Sequence, residues 1–192
     1  MLEKIITTPE MIITAGFAVV QKEGIENLNA SRIASELKCF SQAVKIYYKT
    51  TEELKNEIHT CISQFFVEYI MRFDEKSSDK LLAVGQNYLR FAHEEKHLFR
   101  ALFQTDGYND IGLDSLLNSE KSESWITSLF NDTGLTTEQA QKVIETLFFC
   151  VHGIASLLAN DSMKYDEEHC IELLKNTFNS TVGYIIICRE QK

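Results

Sequence analysis

Apolar residues recur along this chain every three to four positions, the spacing of helices that bury one face and wet the other. Met11, Ile12, Ala15 and Val19 make the first stripe; Thr8 as N-cap, Pro9 at the first helical position and Gly24 as the stop predict a helix over about 9–23. In "ASRIASEL", capped by Asn29, Ile33 and Leu37 lie one turn apart with Ala34 beside them. A third short helix, "SQAVKIYY", follows almost at once. Thr50 to Glu53 read as a capping box opening a long fourth helix through Ile58, Ile62, Phe65 and Tyr69. Later helices are predicted over about 78–104, 109–118, 122–131, 137–160 and 166–189, with a second capping box at Thr136–Gln139. "DEKSSD", "NDTG" and "NDSMKYDEE" are the polar joints between them.

One proline and eight glycines in 192 residues leave too little turn chemistry for an all-β sandwich, so the fold class is expected to be all-α. A hydrophobic share of 44% suffices for one domain, or for a small head joined to a larger body. The start "MLEKIITTPEM" lacks the apolar run of a leader, and no later segment approaches the ~18 uninterrupted apolar residues of a membrane span, so a soluble cytoplasmic protein without a membrane partner is expected. Cys39, Cys61, Cys150, Cys170 and Cys188 are far apart and form no C-x-x-C pair. They suggest neither a disulfide framework nor a thiolate zinc site, and are read as small buried hydrophobes. No cofactor is implied.

The formal charge of −9 argues against indiscriminate nucleic-acid binding, but its distribution says more than its sum. Residues 1–58 hold seven Lys/Arg against eight Asp/Glu, leaving twelve against twenty for the rest. Within 29–49, Arg32, Lys38, Lys45 and Lys49 face Glu36 alone. This basic island coincides with the two short helices. A helix-turn-helix needs a small side chain where its helices cross and apolar anchors on both sides. Ala34 supplies the first, Leu37 and Cys39 flank the turn, and Val44 is the anchor. The outer face of the third helix then carries Ser41, Gln42 and Lys45, with Lys49 beyond: donors and acceptors suited to base edges and phosphates.

Over roughly residues 10–58 the chain resembles the tetracycline-repressor (TetR) family of bacterial transcription regulators, through "FAVVQKEGIENLNASRIASEL", the turn "KCFSQAV" and "YYKTTEELKNEI". The resemblance implies a three-helix DNA-binding head (1–50) on a helical effector-binding and dimerisation body (51–192). Such a protein is a repressor that binds a palindromic operator in double-stranded DNA as a homodimer and is released by a small-molecule effector. Carried over by position, Asn29 touches phosphate at the start of the second helix and Ser31 joins it there. Ser41, Gln42 and Ala43 meet base edges, and Tyr47 and Lys49 hold the backbone. Three positions depart from the family pattern. Lys38 stands where glycine is usual, so it either takes a left-handed conformation at ~1–2 kcal/mol or opens the turn differently. Lys45 replaces a tyrosine that contacts phosphate, a role a point charge can also fill. Phe40 replaces a small polar residue.

In the body, "YLRFAHEEKHLFRALF" and "FFCVHGIASLLAND" resemble the family's helices in plan. The same stretch holds "HEEKH", a match to the H-E-x-x-H zinc template. On a single helix across 88–103, Tyr88, Phe91, Ala92, Leu98, Phe99 and Leu102 gather on one side while His93 and His97 point away from the core. Glu120 and Glu123 lie downstream at a conceivable ligand distance, but the motif is read as solvated surface and no metal is expected. Phe66, Tyr69, Phe103, Trp125, Phe149 and His152 are candidates to line an effector pocket, although aromatics at helical spacing equally fill cores. Val143, Leu147, Val151, Ile154 and Leu158, with Ile171, Leu174, Phe178, Val182 and Ile185, form two long apolar stripes. They are expected to pair across a two-fold axis, a pattern that burial within one subunit also produces. No enzyme is expected; the rival readings are a helical dimeric adaptor whose DNA head has decayed and a zinc hydrolase built on HEEKH.

Overall fold

The computed structural model describes residues 7–72, 80–105 and 135–190. Thr8 Oγ1 accepts from the Met11 amide at 3.3 Å and opens helix α1, Pro9–Glu23. Gly24 ends it at φ 89°, its amide donating to the Val20 carbonyl at 2.9 Å, a backbone state in which any Cβ is strained. After a 3-10 turn, Ile25–Asn27, the Asn29 side-chain oxygen accepts from the Ser31 and Arg32 amides, both at 3.0 Å, and starts α2, Ala30–Leu37. Helix α3 is Ser41–Tyr47 and α4 is Thr51–Ile70. The Thr50 hydroxyl accepts from the Glu53 amide at 3.1 Å while the Glu53 carboxylate reaches back to the Lys49 and Thr50 amides, completing the capping box. Then come α5, Lys80–Glu94; α6, Lys96–Phe103; α7, Thr137–Ala159, opened by the reciprocal Thr136 and Gln139 box; and α8, Glu167–Glu190. All regular structure among the described residues is helical, so the fold is all-α. The helices predicted over 109–118 and 122–131 lie outside those residues.

The chain divides into two compact units. The first holds α1 to α3, α4 as far as Val67, and Glu95 with α6. Its core includes Ile12, Val20, Ile33, Val44, Ile58, Ile62, Phe66 and Leu98, all buried. At Gly16 an added Cβ would come within 2.1 Å of Ile58 Cδ1, so glycine lets α1 approach α4 closely. Gln21 Nε2 donates to both Glu95 carboxylate oxygens at 2.9 Å. The first part of α4 and all of α6 lie in this unit together with α1 to α3.

The second unit holds the last turn of α4, then α5, α7 and α8, the last three packed pairwise on one another. Buried Asn87 donates to the Ile70 and Arg72 carbonyls at 3.2 and 2.8 Å, satisfying the end of α4. Helix α7 is the one described helix long and apolar enough to cross a membrane, yet its Val143, Leu147, Val151 and Leu158 stripe is buried within this unit. Of the cysteines only Cys170 is fully buried; the others are partly exposed, and none of the five is in a disulfide.

One prediction is corrected outright. Residues 88–103 are not a single helix: α5 ends at Glu94 and α6 begins at Lys96, with Glu95 between them at φ −116°, ψ 50°. The break removes the one-turn spacing on a common helix face that HEEKH needs to hold zinc. The motif's side chains are engaged elsewhere. The His93 ring stacks on Tyr165 at 4.5 Å, Glu94 accepts from the Tyr69 hydroxyl, Glu95 holds Gln21, and the Arg100 guanidinium meets His97 Nδ1 at 3.1 Å. Glu120 and Glu123 lie outside the described residues.

Candidate nucleic-acid interface and body cavity

Helices α2 and α3 cross at Ala34, which is buried, with Ile33 and Val44 fully buried on either side. Each such anchor contributes about 1.5–3 kcal/mol of burial, enough to hold a seven-residue helix that would not persist alone. The chain reverses at Lys38, which takes the left-handed conformation, φ 53° and ψ 40°. Its amide donates to the Ser35 carbonyl at 3.2 Å and the Cys39 amide to the Ala34 carbonyl at 2.9 Å, a Schellman closure normally served by glycine. Replacing Lys38 by glycine therefore stabilises the unit by about 0.5–1 kcal/mol. A thermal midpoint that stays put or falls would show that the left-handed strain is absent.

Held in this way, α3 exposes Gln42, Lys45, Ile46 and Tyr47, with Lys49 exposed just beyond, while Ser41 and Ala43 are half-buried. Ion pairs redistribute the basic island. The Arg32 guanidinium is engaged by Glu23, and holds that carboxyl below its usual range, while Glu36 is taken by Lys22 at 2.9 Å. Among the described residues no carboxylate forms a salt bridge with Lys38, Lys45 or Lys49. The positive charge left over thus surrounds α3. Asn29, expected at a phosphate, has its oxygen engaged as the α2 cap and donates from Nδ2 to the Asn27 carbonyl at 3.1 Å; Ser31 is exposed on the next turn. Two residues that the sequence reading did not single out for contact stand out here. Phe40 is 88% exposed at the N-cap of α3, where a phenyl ring offers the free amides no acceptor, and Ile46 is exposed beside Lys45. A large apolar residue at a cap position was the signal.

The second unit encloses a cavity of about 290 Å³. Ile70 from α4 lines it, with Leu81, Leu82, Val84, Gly85 and Tyr88 from α5, Ile144, Leu147, Phe148 and Val151 from α7, and Leu174, Lys175, Phe178 and Asn179 from α8. A Cβ on Gly85 would reach Leu174 Cδ1 at 3.2 Å, so the glycine keeps this wall thin. The Tyr88 hydroxyl and His152 Nδ1 are 2.9 Å apart, and the His152 ring stacks on Phe148. Burial raises the Tyr88 phenol far above its ordinary value and lowers His152, so the pair shares its hydrogen bond in the neutral form.

This cavity is not lined by the aromatics expected to line it. Phe66 and Phe103 pack edge to face at 5.3 Å in the first unit. Tyr69 packs on Phe91, Phe149 is 63% exposed, and Trp125 lies outside the described residues. His152 is not among the lining residues but contacts two of them, Tyr88 and Phe148. The stripes expected to pair across a two-fold axis are used within the subunit to different degrees. Leu147, Val151, Leu174 and Phe178 line the cavity, and Val143, Ile154 and Leu158 are buried within the subunit. Ile171, Val182 and Ile185 are half-buried, the last two packed with Phe178 against the Val143 cluster. The surface left over is complementary: Phe149, Gly153 and Leu157, four residues apart on α7, and Tyr184 and Ile187 on α8, all exposed.

No curated protein matches the chain. The family model described as the C-terminal domain of tetracyclin repressor-like proteins matches residues 81–178, half of the chain, covering every cavity-lining position except Ile70 and Asn179. The chain belongs to the tetracycline-repressor-like family of transcription regulators.

Proposed function

We propose that the chain is a repressor that binds a palindromic operator as a homodimer in the cytoplasm and leaves it when a small molecule fills the cavity of the second unit. The observation that carries this reading is the outward face of α3, where Gln42 stands among Lys45 and Lys49, lysines that no described carboxylate neutralises. Gln42 has the bidentate amide that suits an adenine edge, while Lys45, Lys49 and Tyr47 suit phosphates. One short helix reaches too few bases to choose an operator from a genome, which is why two copies about 34 Å apart are required. The exposed apolar residues of α7 and α8 supply a face for that second copy.

Release follows from linkage: the effector frees DNA only as far as it binds the DNA-free conformation more tightly. Among the described residues the chain passes between the two units within α4, after Val67, and at the Glu94 to Glu95 break, and a filled cavity alters the spacing of two heads through these connections. An electrophoretic shift against the DNA upstream of the chain's own gene tests the proposal. Retarded bands are expected, with sequence preference altered by Gln42→Ala and overall affinity retained; a protein that shifts no DNA at any sequence refutes the repressor reading.

A second reading has one observation in its favour. Phe40 and Ile46 put apolar surface on the recognition face, as a helical adaptor for protein partners would. Such a protein dimerises and ignores DNA, so the same shift experiment separates the two.

A further inference from the structure

We propose that the cavity takes an apolar molecule with a single carboxylate, the carboxylate meeting Lys175 and Asn179 at the rim and the hydrocarbon lying among the α5 and α7 side chains. This rests on the cavity being the effector site. Its volume of about 290 Å³ sits at the small end of small-molecule pockets, which suits a compact ligand rather than a large fused-ring one.

The charge of the lining is the informative part. The chain carries a formal charge of −9, yet none of the described lining residues is Asp or Glu, and the one charged residue among them is Lys175. A cationic ligand would enter next to an ammonium with no carboxylate among the described lining residues, whereas an anion gains its partner. Position along α8 agrees. Leu174 is buried and Phe178 half-buried, while their neighbours Lys175 and Asn179, one turn apart, are exposed. The helix thus lays an apolar pair inside and a polar pair at the edge, and a lysine stem runs along apolar surface with its ammonium in water. Tyr88, also in the lining, is buried with its hydroxyl already bonded to His152, so it asks for hydrocarbon rather than a second polar group.

Calorimetric titration of the full chain with straight-chain alkanoates from six to twelve carbons, the matching primary alcohols and the matching alkylammonium ions tests the proposal. Alkanoate affinity is expected to rise about fourfold per methylene, then level off when the cavity is full. At equal length the order is carboxylate, then alcohol, then ammonium. Lys175→Gln lowers alkanoate affinity by about two- to fivefold and leaves the alcohol unchanged, since a rim pair is partly screened by solvent. Val151→Trp, whose folding is checked by its thermal midpoint, abolishes binding of all three by filling the space; Gly85→Leu on α5 repeats the test if the first variant is unstable. An alcohol or ammonium that binds as tightly as the carboxylate, or alkanoates that fail to bind, overturns the ligand class. Alkanoates that bind as expected but do not release DNA leave the class standing and remove the effector role, so the two failures are distinct.

Discussion

Replacing Lys45 and Lys49 together by alanine is expected to cut operator affinity by about a hundred- to a thousandfold near 0.15 M salt. Each phosphate neutralised by a lysine releases about 0.9 of a counterion, and a dimer presents both lysines twice. Leaving four phosphates without their lysines therefore flattens the dependence of log affinity on log salt by about three to four units. Fluorescence anisotropy with a labelled operator at three salt concentrations reads both numbers. The fold is not at risk, because both side chains are exposed and pair with no described carboxylate, so an unchanged thermal midpoint accompanies the weaker binding. Arg32→Ala is the contrast. Arg32 is occupied by Glu23, so its removal costs affinity less and frees a carboxylate near the head. A double-lysine variant that keeps the full salt slope would mean that α3 does not lie along the phosphate backbone.

Where the structure follows the sequence, the reason is local chemistry with few alternatives. Thr8 with Pro9, Asn29, Thr50 with Glu53, and Thr136 with Gln139 each satisfy free amides at a helix start, and each starts a helix where predicted. The crossing of α2 and α3 was legible because Ala34 and Val44 leave one inward solution. The break at Glu95 was not, since no proline or glycine marks it. One non-helical residue there ends α5 and lets α6 begin anew without any compositional signal. The stripe Val143 to Leu158 shows the deeper limit. Helical periodicity says that a face is buried but not by what, and here α5 and α8 of the same subunit cover it. The cavity was hidden for a related reason: its walls come from four helices, and space left between elements has no signature in any one of them.

The exposed apolar residues of α7 are the face proposed for the second copy, so the test of dimerisation acts there. Leu157→Asp is expected to weaken the homodimer by at least three orders of magnitude while leaving each subunit folded. In a two-fold interface one substitution appears twice, and each new carboxylate would be buried without a partner at about 3–5 kcal/mol. Leu157 is 48% exposed in the subunit, so the same aspartate costs the isolated fold little. Gly153, one turn before it, has open space where a Cβ would stand, so Gly153→Arg tests the same face by bulk rather than charge. Val143→Asp is the control in the other direction: Val143 is fully buried, so that variant loses its fold rather than its partner. Analytical ultracentrifugation with circular dichroism separates these outcomes. Operator affinity is expected to fall with the dimer, because a single head engages one half-site and forgoes the gain from linking two. A Leu157→Asp protein that sediments as a dimer and still holds its operator would place the subunit interface elsewhere than on α7.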